Sequence, residues 1–136
     1  GVGTGGYGAL KMALKYPETF SKAVSFNGVL DLEAICKKAA AGEETGIYHN
    51  KASLEAVFGD LDSFAGSEND LYALAKKPTQ AKLWMGWEQD APVAEENRRL
   101  ADLLGDAAQT VTLGAGADLG SCQASLPAAV EWLMKG

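Results

Sequence analysis

The opening stretch GVGTGGYGALKMALKYPETF constrains this chain more than any other part of it. Glycine occupies positions 1, 3, 5 and 6, and an apolar, helix-forming run follows at once. A turn this rich in glycine is one in which flanking side chains would clash. Ala9, Leu10, Met12, Ala13 and Leu14 place apolar residues nearly all round the next segment. That pattern predicts a buried helix, and Pro17 ends it. Two chemistries use such an entry into a helix. One cradles a pyrophosphate; the other displays a nucleophile on a tight elbow.

Downstream, KAVSFNGVLD reads as a short strand that closes at the turn pair Asn27–Gly28. Residues 31–41 read as a helix with Asp31 as N-cap and Leu32, Ile35 and Cys36 on one side. Gly42, Gly46, Gly59 and Gly66 break the following region into short helical pieces. ENDLYALAKKP is helical from Asp70 and stops before Pro78. AKLWMGW is an apolar run of strand length. VAEENRRLADLLG is an amphipathic helix with Val93, Asn97, Leu100, Leu103 and Leu104 on one face, acids leading, and Gly105 as C-cap. TVTLG is a strand of period two, and SLPAAVEWLMKG is a final helix with Ser125 as N-cap and Gly136 past its end.

Strand and helix alternate through the last third, the signature of parallel strands joined by crossover helices. The expected architecture is α/β: three parallel strands near 22–27, 82–86 and 110–113, flanked by helices, with a helical insertion near 31–80. Residues 1–136 read as one domain, and the 47% apolar content suffices for a real core. Three strands are few for a sheet that must be covered on both faces, and the strand near 22–27 is expected to leave an open edge.

Net charge is −6 with both signs interspersed, which excludes the basic face that nucleic acid requires. No stretch approaches the roughly 20 apolar residues of a membrane span. Cys36 and Cys122 are far apart, with no CxxC spacing and no nearby histidine. They read as buried free thiols of a cytoplasmic protein. The chain begins with Gly inside a motif, so a missing N-terminal portion is expected.

Gly1-x-Gly3-x-x-Gly6 and Gly3-x-Gly5-x-x-Gly8 both satisfy the dinucleotide pattern. That pattern also needs a preceding strand and an acid roughly 20 residues on, at the tip of the next strand. Here the next strand ends in Phe26-Asn27-Gly28, and Asp31 falls beyond it. Nucleotide binding through residues 1–8 therefore stands as a lesser alternative, and no cofactor is expected.

Gly1, Gly5, Gly6, Tyr7, Gly8, Ala9, Pro17, Glu18 and Phe20 carry a resemblance. The stretch is similar to the nucleophile elbow of the tributyrin-esterase-like α/β-hydrolases, relatives of esterase D and S-formylglutathione hydrolase. There it runs Gly-x-Ser-x-Gly-Gly-Tyr-Gly-Ala, then a helix ending in Pro-Glu-x-Phe. FGDLDSFAGSENDLYALAKK, Glu96-Asn97-Arg98-Arg99 and LPAAVEWL resemble later stretches of the same family, in order. The resemblance covers the family's C-terminal part only, without its first strands or one arm of its oxyanion hole. It implies carboxylic-ester hydrolysis by a Ser–His–acid triad.

Carried over residue by residue, the resemblance puts the nucleophile at Gly3, where no side chain exists to attack a carbonyl. Thr4 follows and implies a backbone N–H for the oxyanion. The acid is expected after KLWMG, at Asp90 or at Glu88, with Asp90 preferred. The histidine position falls at Ala117. The only histidine, His49, lies in GIYHN, far from both motifs, and reads as a surface residue. The expectation is a segment with a degenerate triad, inactive alone, or a non-catalytic binding module of the same descent. No metal is expected: Asp60, Asp62, Asn69 and Asp70 miss the EF-hand spacing. The partners expected are a small acyl ester, if any, and a second copy or an N-terminal half over the open edge near 22–27, with neither nucleic acid nor membrane.

Overall fold

The computed structural model describes residues 1–43, 45, 50–114 and 119–135. Three strands, β1 (Lys22–Phe26), β2 (Lys82–Trp87) and β3 (Ala108–Thr112), form a parallel sheet in the order β1-β2-β3. Lys22 stands opposite Lys82, and Leu83 opposite Ala108. The helices are α1 (Thr4–Lys15), α2 (Leu32–Ala40), α3 (Lys51–Phe58), α4 (Leu71–Ala75), α5 (Ala94–Leu104) and α6 (Leu119–Met134). Two single 3-10 turns lie at Leu61–Ser63 and Gly105–Ala107.

Strand alternation splits the core in two, because successive side chains leave opposite faces of the sheet. Ala23, Leu83 and Met85 point to one face, where Tyr7, Leu10 and Ala13 of α1 and Leu100 and Leu104 of α5 meet them. The helices of the insertion add Leu32, Cys36, Leu54 and Leu71 to the same cluster. Val24, Phe26 and Trp84 point to the other face, covered by Cys122 and Ala129 of α6. There the Trp84 and Trp132 rings meet edge to face at 5.7 Å. Lys22 Nζ ties down the end of α6, donating to Trp132 O at 2.8 Å and also to Lys135 O.

Helix starts follow the local chemistry. Asp31 caps α2 by accepting from Ala34 N, and Asp70 caps α4 by accepting from Tyr72 N. Gly105 ends α5 at φ 55°, a conformation glycine adopts without strain. Two expectations change. Helix α6 begins at Leu119 rather than after Ser125, so Pro127 lies inside it. Its ring removes a backbone bond, but Cys122 and Ala129, one face of two turns, are buried against the sheet and hold the helix through the proline. Leu103, expected on the buried face of α5, is 43% exposed, while Asn97, Leu100 and Leu104 are buried.

On the outer edge of β1, Gly1–Gly3 run alongside its carboxyl end. Phe26 N donates to Gly1 O at 2.9 Å, and Gly3 N donates to Phe26 O at 3.0 Å. Leu126, Val130, Leu133 and Met134 form an exposed apolar stripe on α6. No helix among the described residues is long and apolar enough to cross a membrane.

Candidate active site

The chain leaves the edge of β1 and turns into α1 at Gly3, whose φ of 60° and ψ of −125° are ones L side chains rarely adopt. The surrounding glycines have separate steric reasons. A Cβ on Gly1 would lie 2.1 Å from Gly5 O, and one on Gly6 would lie 2.3 Å from Ser25 Oγ and 3.2 Å from Gly28 Cα. At Gly3, by contrast, a Cβ would meet nothing within 4 Å among the described residues. The bend is crowded at its base and open at its tip. Gly3 O accepts from Gly6 N and, across the turn, from Val29 N at 3.1 Å.

Thr4 is exposed and opens α1. Gly5 N and Gly6 N are taken up by Val2 O and Gly3 O, whereas no acceptor among the described residues meets Thr4 N–H. First-turn amides of a helix are donors without intrahelical partners, so this one is available to an oxygen placed over the bend.

The turn after β2 holds both acid candidates in contrasting settings. Glu88 is 6% exposed, and its Oε2 has no hydrogen-bond partner among the described residues. Asp90, two residues on, is exposed. Glu88 N donates to Asn27 Oδ1 at 3.1 Å, and Leu113 N donates to Trp87 O at 3.1 Å. The second bond joins the acid turn to the start of the loop that leads to position 117. Ala117 and His49 lie outside the described residues.

Residues 27–31 connect these pieces, a role that sequence reading missed. Asn27 N donates to Gly86 O at 2.8 Å. Asn97 Nδ2 donates to Gly28 O at 2.9 Å. Glu96 Oε2 accepts from both Leu30 N and Asp31 N at 2.7 Å, two charge-assisted bonds to one oxygen. The signal available in sequence was Asn97 itself, an amide on the apolar face of α5.

Other candidate groups are already engaged. Asp60 accepts from Asp62 N and Ser63 Oγ, and Asp70 accepts from Gly66 N and Tyr72 N, so these carboxylates hold turns. No cluster of three metal-ligating side chains occurs among the described residues. Burial pushes the Cys36 thiol up and so disfavours its thiolate. Tyr7 OH donates to Asn69 O at 2.6 Å, and burial pushes its phenol well above the usual tyrosine range. A cavity of about 660 Å³ between α2, α4 and α5 is lined by Asp31, Tyr72, Lys76, Arg99 and Asp102 among others, and reaches neither Gly3 nor Glu88.

Residues 1–133 match the sequence model of the family named Esterase, described as "Putative esterase". An acetyl esterase of Caldicellulosiruptor saccharolyticus is 32% identical over 109 residues, covering 76% of this chain and 40% of that protein. Two solved structures from Staphylococcus aureus share the fold. S-formylglutathione hydrolase (FrmB) superposes with a TM-score of 0.73 at 23% identity, covering 99% of this chain and 53% of that one. The fluorophosphonate-binding serine hydrolase FphF superposes with a TM-score of 0.79 at 24% identity, covering 100% and 53%. The chain thus spans about half the length of the relatives it matches.

Proposed function

Because this chain belongs to the Esterase family and has an α/β-hydrolase core, we propose that it is the C-terminal part of a carboxylic-ester hydrolase whose triad is vacant at two positions. One observation carries the reading: Gly3 sits at a positive-φ bend from strand to helix, with no atom of the described residues within 4 Å of where a side chain would begin. In such a hydrolase a serine Oγ at position 3 attacks the ester carbonyl. A histidine takes its proton and then passes it to the leaving alcohol, and a carboxylate orients the imidazole. The oxyanion that forms accepts from Thr4 N–H.

With Gly3 and Ala117 in place, nucleophile and base are both absent. What remains is oxyanion donation and binding, which in serine proteases retain about 10³–10⁴-fold over water when the triad is removed. We infer that the chain alone does not turn over esters. For the acid, the buried carboxylate of Glu88, whose Oε2 meets no donor among the described residues, supports it over Asp90. A carboxylate kept from water with an unpaired oxygen is costly unless a donor completes it, and an imidazole N–H is such a donor. Restoring Gly3→Ser and Ala117→His together within a complete chain tests the reading: hydrolysis of p-nitrophenyl acetate above the parent's rate is expected, and its absence counts against this register.

Although Gly1–Gly3 pair along the carboxyl end of the β1 edge, the exposed apolar stripe of α6 favours a second reading, a non-catalytic module covered by a companion surface. We propose a second copy of this chain as that cover. Sedimentation as a dimer supports it, whereas a stable monomer leaves the cover to the additional chain that the longer relatives possess.

A further inference from the structure

We propose that Asn27 is a positioning residue that holds the acid turn at Glu88 in register with the bend at Gly3, an inference that rests on the acyl-transfer reading above. Asn27 is the one non-glycine residue with positive φ, 47°, among the described residues. That conformation disfavours most side chains, and Asn tolerates it best after glycine. It also lets a single residue bond twice to the end of β2. Its N–H reaches Gly86 O at 2.8 Å, and its Oδ1 accepts Glu88 N–H at 3.1 Å.

The neighbours of Asn27 make the matching pair of bonds to the bend. Phe26 O accepts from Gly3 N at 3.0 Å, and Val29 N donates to Gly3 O at 3.1 Å. Residues 26–29 therefore grip Gly3 on one side and the Gly86–Glu88 segment on the other. Glycine at 27 would satisfy the backbone but leave Glu88 N–H without its acceptor. The side chain is needed for the acid turn alone, so its purpose is separable from that of the backbone.

Two substitutions make this separation experimental. Asn27→Gly keeps the φ and removes the acceptor; Asn27→Asp keeps an acceptor. In the otherwise unaltered chain, amide hydrogen exchange at Glu88 is expected to quicken about tenfold in Asn27→Gly, the equivalent of one net hydrogen bond. It stays near the parent value in Asn27→Asp, and the amides of Leu83–Met85 keep their protection in both. In the Gly3→Ser/Ala117→His background, Asn27→Gly is expected to lower kcat by about tenfold or more with KM unchanged, because displacement of a catalytic group costs rate rather than binding. Unchanged exchange at Glu88, or unchanged kcat in an active background, overturns the proposal. A background protein with no hydrolysis at all counts against the acyl-transfer reading, while the exchange measurement still decides whether Asn27 holds the turn.

Discussion

Gly6 of α1 faces Ser25 of β1 so closely that a Cβ on the glycine would lie 2.3 Å from the serine Oγ. Ser25 is fully buried, and its Oγ has no hydrogen-bond partner among the described residues. The contact sets how near the first turn of α1 comes to the sheet, and so where the bend at Gly3 stands relative to β1. Gly6→Ala is expected to cost about 1–3 kcal/mol through overpacking. Ser25→Ala removes the clashing oxygen together with its unmet desolvation, so it should recover part of that loss in the double variant. Urea midpoints for the four proteins of the cycle measure the coupling, and strict additivity would show the contact to be unimportant.

Position 3 behaves differently. Among the described residues nothing lies within 4 Å of a Cβ there, and the obstacle they set to a side chain is the backbone conformation, which costs about 1–3 kcal/mol for a non-glycine residue. Gly3→Ser is expected to fold with an unchanged m-value and a midpoint lowered by no more than that strain. Ser25→Ala should not rescue it, in contrast to Gly6→Ala.

How much was legible beforehand depended on how local the cause was. The crowded bend, the cap at Asp31, the three strands and the stop at Gly105 each follow from a few adjacent residues, and the structure has all of them. Helix α6 begins earlier than expected because Ser125 followed by Pro127 is a strong local start signal, while the burial of Cys122 and Ala129 that overrides it comes from the sheet. The contrast between buried Glu88 and exposed Asp90 was invisible for the same reason: spacing in a loop does not say which carboxylate turns inward. The network around residues 27–31 joins groups more than 60 positions apart, and no periodicity reports such a pairing.

That network gives a third expectation. Asn97 is fully buried, and its Nδ2 serves both Gly28 O and Val93 O. Asn97→Ala leaves the Gly28 carbonyl unmet inside the protein, at a cost of about 1–3 kcal/mol. Glu96→Gln keeps an acceptor for Leu30 N and Asp31 N but loses the charge, so its loss should be smaller. Thermal midpoints rank the two, and a larger loss for Glu96→Gln would mean that charge rather than burial holds the loop.

The tyrosines supply a pH test. Burial raises the phenols of Tyr7 and Tyr72 far above the ordinary value of 10.0; nearby Cys36 and Asp70 add to the rise at Tyr7, and Arg99 partly opposes it at Tyr72. An acid with a raised folded pKa is still protonated in the native state when the unfolded chain has begun to lose its proton. These two groups therefore make stability fall as pH climbs past about 10. Near-ultraviolet absorbance should show both phenols ionising only together with alkaline unfolding. Free titration of either one within the folded protein would contradict the burial assigned to it.

The most direct test of the central claim is intact-mass measurement after exposure to a fluorophosphonate, which reports an activated serine without requiring turnover. The unsubstituted chain, with glycine at the bend, is expected to gain no adduct, while the Gly3→Ser/Ala117→His protein gains one, mapped to residue 3. An adduct on the unsubstituted chain, or none on residue 3 of the folded double variant, would contradict the claim that this bend was built to present a nucleophile.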